Sequence, residues 1–247
     1  MISEWSCLLL KVCHAVAHAQ WSKDEDAYHA ALIKIRARLK PFIVESKDGI
    51  WIGDKNCRIP IVEYKIKTRK KFFRVVNKLL LKEGNLSARI YDHIGVRFVT
   101  KDIFSAILLI KFLRSRSIFM YANLLPRESK NSIAEFHQIE ELFSEFTEPV
   151  VHSIRGESTR IDSIRENPFS SKEFKMIKIV ERVLVTTDRG RKVFFPCEFQ
   201  ILTSQAHESH SKKQMTHAAY EKRQVEGVKK RLFKGTSLLK GKNGEKP

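Results

Sequence analysis

The sequence predicts an α+β fold in which helices flank a mixed β-sheet of about five strands. Between residues 59 and 125, strand-like and helix-like segments alternate, an order typical of a sheet with crossover helices. Two further strand-like segments, 173–187 and 191–202, are joined by the turn sequence D-R-G, which predicts a β-hairpin. Amphipathic helices are predicted at both ends of the chain.

Composition limits the class of protein. The chain has 247 residues, 43% of them hydrophobic, and a net charge of +18, which suits a folded domain with polyanionic partners such as nucleotides or RNA. No apolar run approaches the roughly 20 residues that span a bilayer, so no membrane association is expected. The N-terminal stretch contains Glu4 and makes a poor signal peptide. Four scattered cysteines predict a reduced, cytoplasmic protein without a zinc site.

The N-terminal segment 1–58 is predicted to be a helical extension of the main domain, 59–233. Apolar residues recur at helical spacing over 4–20 and 24–44, and Pro41 marks a break near the end of the second segment. The pattern predicts a helical hairpin that packs on the main domain.

The main domain begins with alternating strands and helices. The pattern predicts strands over 59–67, 94–100 and 118–125, and helices over 70–83 and 103–113. Lys70, Arg74 and Lys78 recur at four-residue spacing on one face of the first helix, in a stretch that contains no acid. A charge run is usually a solvated helix face, but the missing carboxylates favour phosphate binding here.

Residues 126–172 are predicted to be an insertion. One helix is expected over 132–146, followed by a polar stretch that suits either a mobile loop that closes over substrates or a disordered insertion without consequence. After the hairpin, residues 204–233 predict a C-terminal helix capped by Thr203 or Ser204. The last residues, 234–247, predict a basic disordered tail.

Two carboxylates interrupt apolar, strand-like segments. Asp92 precedes the strand 94–100, and Glu198 lies within the second strand of the hairpin. A carboxylate in such a place needs a proton, a cation or a metal, because burying it bare costs several kcal/mol. The pair predicts a divalent-metal or general-base site, although each residue taken singly suits a turn aspartate or an ion-paired strand residue.

Three segments, in this order, resemble the synthetase domain of the RelA/SpoT family over about residues 59–233. The first is K-x-x-x-R-x-x-x-K at 70–78, similar to the family's R-x-K-x-x-x-S-x-x-x-K helix. The second is Y-D-H-I-G-V-R at 91–97, similar to Y-D-x-x-G-x-R. The third is E-F-Q-I-L-T at 198–203, similar to E-x-Q-I-R-T, with H-A-A-Y-E-K following at 217–222.

The resemblance implies a nucleotidyltransferase-like synthetase fold and transfer of the β,γ-pyrophosphate of ATP to the 3′-hydroxyl of GDP or GTP, with Mg²⁺ as cofactor. It implies that Asp92 and Glu198 hold Mg²⁺ and that Glu198 is the general base. It places Arg97 on the adenine ring or against ATP, which suits its planar guanidinium. The remaining site residues it implies are, for phosphates, Arg69, Lys70, Arg74 and Lys78 and, for the acceptor, Phe174, Lys178 and Gln200.

This sequence departs from the family pattern mainly in the acceptor half. Phe174 and Lys178 stand where the family has tyrosine and histidine, and Leu202 replaces an arginine. The acceptor therefore stays open between a guanine nucleotide and a tRNA 3′ end, which the high positive charge would suit. The sequence is also compatible with a degenerate module that binds RNA or a nucleotide, and with an enzyme that transfers a nucleotide instead of pyrophosphate. The family's hydrolase domain is not expected, because its H-D motif is missing.

Overall fold

The computed structural model describes residues 2–21, 24–67, 72–81, 93–133, 175–211 and 217–236. These residues form seven strands and six α-helices. The strands are β1 Ile43–Ser46, β2 Gly49–Gly53, β3 Arg58–Lys67, β4 Ile94–Thr100, β5 Lys130–Asn131, β6 Ile177–Thr186 and β7 Lys192–Thr203. The helices are α1 Ile2–Trp21, α2 Glu25–Leu39, α3 Phe72–Leu81, α4 Ile103–Ser115, α5 Ser204–Ser211 and α6 His217–Leu232.

The seven strands form one mixed sheet in the order β1-β2-β3-β4-β7-β6-β5. Strands β4 and β7 are parallel, and every other neighbouring pair is antiparallel. The α+β fold class with a mixed sheet is therefore confirmed, and the sheet has seven strands where about five were expected. Two of the additional strands, β1 and β2, lie within 1–58, so that segment is not the purely helical extension that its helical periodicity suggested.

One face of the sheet carries the main hydrophobic core. Helix α2 packs against β6 and β7, and α4 packs against β3, β4 and β7. The α4 segment is apolar around most of its circumference, as expected for a buried helix. Its start is fixed by Asp102, whose side chain accepts a hydrogen bond of 2.7 Å from the backbone N–H of Ser105, the contact of an N-cap. Phe98, Phe119 and Phe199 are fully buried in this core.

The predicted hairpin is formed by β6 and β7. Gly190 has a φ of +74°, a value that glycine adopts without the steric penalty of a side chain. Pro196 is not on an edge strand of the sheet, since β7 lies between β4 and β6. Pairing with β4 begins only at Cys197, so one side of β7 is unpaired at Pro196, and a residue without an N–H is accommodated there.

One sequence-based element differs from the structure. The predicted strand 118–125 is wrong: Ile118 and Phe119 are buried, and the chain then forms 3₁₀ turns at Tyr121–Asn123 and Pro126–Glu128. Periodicity could not separate a short strand from an apolar segment that fills the core. Within the predicted helix 204–233, the described residues on both sides of 212–216 are helical, as α5 and α6, and Thr203 caps α5 by accepting a 3.2 Å hydrogen bond from the N–H of Ala206.

The chain divides into two compact units. Unit 1 comprises Met1–Asp24, Lys70–Ile90 and Thr216–Pro247, and unit 2 comprises Glu25–Arg69 and Tyr91–Met215. In unit 1, α3 packs against α1 and α6 around Ala15, Ala19, Val75, Leu79, Leu80 and Val228. Unit 2 contains the sheet. The two helices of the predicted N-terminal hairpin, α1 and α2, fall in different units. The predicted domain boundaries at 58/59 and 233/234 stay predictions.

Most of the predicted insertion, from 134 onward, and the tail from 237 onward lie outside the described residues. At the start of the insertion, Ser132 is not helical, and both its N–H and its hydroxyl donate to the carbonyl oxygen of Met176. Within the described parts of the chain, no helix combines the length and the apolar character needed to cross a membrane.

Candidate functional site

The face of the sheet opposite the main core carries a row of polar side chains. The parallel register of β4 and β7 places Arg97 opposite Gln200 and Gly95 opposite Glu198. Strand β3 adds Lys67 opposite Gly95. Register partners in a sheet share a face, so three neighbouring strands bring two cations, one amide and one carboxylate to a single surface.

Strands β6 and β5 extend this surface with further cations. Lys178 pairs with Gln200, and Lys130 pairs with Lys178. Both lysines are half-buried. We call this surface the polar face; its residues are Glu63, Lys65, Lys67, Arg97, Lys130, Lys178, Glu198 and Gln200.

A chain of hydrogen bonds links the centre of the polar face. Arg97 donates from Nε and from Nη2 to Oε1 of Gln200, at 3.1 and 2.8 Å. Gln200 in turn donates from Nε2 to Oε1 of Glu198. Glu198 is 7% exposed. The amide of Gln200 therefore orients a guanidinium and a nearly buried carboxylate with respect to each other.

The cations of this surface lie in a partly desolvated environment. Burial lowers the pKa of Arg97 from its ordinary value, against the attraction of Glu63 and Glu198. Much of the Lys67 side chain is exposed, yet desolvation of its ammonium and repulsion from Arg97 lower the pKa of Lys67 from 10.5 to about 8. Among the described residues, Glu63 and Glu198 offset only part of this desolvation, so an anion bound at this surface would stabilise both cations.

Helix α5 closes one end of the polar face. It packs against β7 and β4, where Val99 and Leu202 are fully buried on the same face as Arg97 and Gln200. His207 of α5 lies 3.7 Å from Glu63 of β3, measured from Nε2 to Oε2. Leu202, which replaces the arginine of the family motif, therefore occupies an apolar contact rather than an open binding surface.

The structure brings together four of the site residues predicted from the sequence. Arg97, Lys178, Glu198 and Gln200 all lie on the polar face. The register of β6 and β7 places Lys178 opposite Gln200. Four other predicted site residues lie outside the described part of the chain: Arg69, Lys70, Asp92 and Phe174.

Arg74 and Lys78 lie on α3 in unit 1. Arg74 forms an ion pair of 2.5 Å with Glu221 of α6. The assumption that this helix has no carboxylate to pair with is therefore wrong for Arg74, because a partner 147 positions along the chain cannot be seen in a local charge pattern. The phosphate-binding roles of Arg74 and Lys78 stay predictions.

Sequence reasoning missed two charged residues. Lys67 could have been found from the alternation of Glu63, Lys65 and Lys67 on one face of a strand next to Arg97. Glu181 interrupts the apolar strand β6 just as Glu198 interrupts β7, but it pairs with Cys197 on the core face. It is 0% exposed and forms a 3.2 Å ion pair with Arg38 of α2.

A metal site is not formed by the described residues alone. They contain no group of three or more histidine, cysteine, aspartate or glutamate side chains that could hold an ion. Of the two described carboxylates on the polar face, Glu63 lies 3.7 Å from His207, and Glu198 could serve as one metal ligand. Mg²⁺ commonly takes one or two protein carboxylates together with substrate phosphates and water, so a single carboxylate beside a phosphate site fits that ion.

No protein-family model matches the chain, and no curated protein matches it. Among solved structures, small alarmone synthetase 1 from Bacillus subtilis is similar, with 14% identity, a TM-score of 0.47 and coverage of 90% of this chain and 96% of that one. Small alarmone synthetase 2 from the same organism is 16% identical, with a TM-score of 0.45 and coverage of 85% and 90%. A GTP pyrophosphokinase family protein from Streptococcus pneumoniae is 11% identical, with a TM-score of 0.40 and coverage of 85% and 86%. At these identities and TM-scores, the similarity assigns no function to this chain.

Proposed function

We propose that this protein is a pyrophosphokinase that transfers the β,γ-pyrophosphate of ATP to the 3′-hydroxyl of a guanine nucleotide. The observation that carries the proposal is the linked chain of Arg97, Gln200 and Glu198 on the polar face. It combines a phosphate-binding cation and a held carboxylate, which are the groups that phosphoryl chemistry needs. The order of the RelA/SpoT-like motifs in the sequence supports the same reaction.

Glu198 is the proposed general base. Its carboxylate is nearly buried and is held through Oε1 by Gln200, so it presents a fixed acceptor to a hydroxyl group. The 3′-oxygen forms a bond to the β-phosphorus as the bond from that phosphorus to the α,β-bridging oxygen breaks. The proton passes to Glu198, and AMP leaves.

Arg97 and Lys67 are the proposed phosphate ligands in unit 2. Arg97 uses two of its five N–H donors on Gln200, which leaves donors for a phosphate or for contact with the adenine ring. The lowered pKa of Lys67 indicates an ammonium that gains from a negative ligand. Lys178 and Lys130 would extend the cationic surface toward the acceptor.

Mg²⁺ is the proposed cofactor, with Glu198 and Asp92 as its protein ligands. When bound, it would neutralise part of the triphosphate charge. Asp92 enters this proposal from the sequence motif at 91–97.

A tRNA 3′ end is the second candidate acceptor. The net charge of +18 and the five cations of the polar face are more positive charge than a single nucleotide requires. This excess suits a polyanion such as RNA. The transfer step is the same, so the two candidates differ only in what occupies the acceptor side near Lys178.

One experiment tests the reaction and its acceptor. The full chain is incubated with Mg²⁺, ATP labelled at the γ-phosphate, and GDP, GTP or deacylated tRNA. We expect AMP release and transfer of the label to a guanine nucleotide; label on tRNA alone would select the second candidate. A parallel reaction with α-labelled ATP should leave the acceptor unlabelled. Label from the α-position on the acceptor, or tight nucleotide or RNA binding with no transfer to any acceptor, would overturn the proposal.

A further inference from the structure

Two histidines on α1, in unit 1, form a pair. Neither belongs to the polar face. His14 and His18 are four residues apart, so they lie on the same side of the helix. Their Nε2 atoms are 3.1 Å apart, and their ring centroids are 4.3 Å apart. His14 is exposed and His18 is half-buried. The two ring nitrogens therefore converge at one point beside the helix.

The two Nε2 atoms are within hydrogen-bonding distance of each other, and their separation also matches the spacing that a chelated metal ion imposes. A Zn–N bond is about 2.1 Å long, so two nitrogens on one tetrahedral or octahedral ion lie about 3.0 to 3.4 Å apart. The observed 3.1 Å falls within that range. Two histidines at positions i and i+4 of a helix are also the arrangement by which the H-E-x-x-H motif binds zinc.

We propose that His14 and His18 form a surface chelate site for a divalent transition-metal ion of the Zn²⁺ class. Imidazole nitrogen suits Zn²⁺, Ni²⁺ and Cu²⁺, whereas Mg²⁺ prefers oxygen ligands. Within the described ranges, no third histidine, cysteine or carboxylate joins the pair. Water therefore completes the coordination sphere, and the site is of the open kind rather than the closed, structural kind.

Chelation at this place would stabilise α1. The adjacent side of the helix, about 100° around its axis from the histidines, contributes Ala15 and Ala19 to the buried cluster of unit 1. Both histidines reach one ion only while the segment between them is helical. The ion therefore binds the folded state selectively, and an ion that does so raises the midpoint of thermal unfolding.

Calorimetric titration of the full chain with Zn²⁺ tests the proposal. We expect a saturable site that takes one ion per chain and that an excess of Mg²⁺ does not displace. His14→Gln and His18→Gln should each weaken this site at least about tenfold, because a single imidazole loses the chelate advantage. His29→Gln is the matched control, since His29 is an exposed helical histidine on α2, and it should keep the site.

Nuclear magnetic resonance locates the bound metal ion independently of the calorimetric titration. Paramagnetic Ni²⁺ should broaden the amide signals around His14 and His18 first in the unsubstituted protein, with no need for either variant to fold. Equal Zn²⁺ affinity in the wild type and both variants would overturn the proposal, and so would Ni²⁺ broadening centred elsewhere. The titrations contain no nucleotide, so their outcome is separate from that of the transfer reaction.

Discussion

Arg97 of β4 and Gln200 of β7 are register partners in the parallel strand pair, and the guanidinium donates two hydrogen bonds to one oxygen of the amide. The nitrogen of the same amide donates to Glu198. Gln200 therefore connects the proposed phosphate ligand with the proposed general base. Its place in the middle of the sheet follows from the register, since β7 is paired on both sides there.

Replacing Gln200 should separate base orientation from nucleotide binding. Gln200→Met keeps a similar volume and removes the contacts to Arg97 and Glu198, so we expect kcat to fall about 10- to 100-fold while the KM for ATP changes less. Steady-state kinetics of the transfer reaction measure both constants. Gln205→Met, at an exposed position of α5, is the control. A kcat equal to that of the wild type would show that Gln200 does not position Glu198.

Lys67 should reduce stability at neutral pH. Its folded-state pKa of about 8 lies below the ordinary 10.5, so its charge destabilises the folded state below pH 8, and this penalty fades as the pH rises from 8 to 10.5. Lys67→Met should therefore raise the free energy of unfolding at pH 7, with a smaller gain at pH 10. Urea unfolding at the two pH values measures this.

Lys55→Met provides the comparison for Lys67, because Lys55 is an exposed lysine of the same unit. Its substitution should change the free energy of unfolding little and equally at both pH values. A gain from Lys67→Met that is the same at pH 7 and pH 10 would contradict the lowered pKa.

The buried pair of Arg38 and Glu181 should be strongly coupled. Glu181 is 0% exposed, and Oε2 has no hydrogen-bond partner among the described residues. Arg38→Met leaves that carboxylate without its cation and should cost about 3–5 kcal/mol. The double variant Arg38→Met/Glu181→Met should recover most of the loss, because it buries apolar groups instead. Urea unfolding of the wild type, Arg38→Met, Glu181→Met and the double variant forms the cycle, and simple additivity of the two single losses would contradict the coupling.

The same pair should make stability depend on pH. Burial raises the pKa of Glu181 to about 7 despite the opposing effect of Arg38. The folded state therefore holds a proton that the unfolded state has lost between pH 4.5 and 7, and this group's contribution to stability falls as the pH rises through that window. The unfolding free energy of the wild type minus that of the double variant should therefore fall as the pH rises through the same window. A difference that is constant between pH 5 and pH 8 would exclude this titration.

Local patterns predicted the centre of the sheet well. Alternation along the chain identified strands β3, β4, β6 and β7, and the turn sequence D-R-G identified the hairpin. Strands β4, β6 and β7 are buried on at least one face over most of their length, so their apolar positions repeat clearly, and β3 alternates between exposed and less exposed positions over its first half. The short strand β1 at the sheet edge and its neighbour β2 are partly exposed. Their weaker pattern predicted no strand, and β1 begins inside the predicted helix 24–44.

Charged partners could not be predicted from local patterns. Glu181 and Glu198 both interrupt apolar strands, but the register assigns them to opposite faces of the sheet. The partner of Glu181 is Arg38, at a sequence distance of 143 residues. Whether a strand carboxylate forms a buried ion pair, as Glu181 does, or is a candidate base, as Glu198 is, therefore depends on which helix covers its face of the sheet.

Two phenylalanines of β7 should contribute very differently to the free energy of unfolding, and the exposed one serves as the control for the buried one. Phe199 is fully buried and contacts Phe119, whereas Phe194 is 55% exposed. Phe199→Ala should cost about 3–5 kcal/mol through lost burial and a cavity. Phe194→Ala should cost less than about 1 kcal/mol, including its contact with Arg182. Equal losses in urea unfolding would contradict the assignment of faces along β7.

Pyrophosphate transfer by Glu198→Gln tests the proposed role of the polar face most directly. The amide has the size of the carboxylate but cannot accept the hydroxyl proton, so transfer of γ-label from ATP should fall at least about 100-fold. Circular dichroism and ATP binding should show that the fold is kept. Glu45→Gln, an exposed position on β1, should transfer at the wild-type rate. A Glu198→Gln protein that also transferred label at the wild-type rate would contradict the assignment of Glu198 as the base.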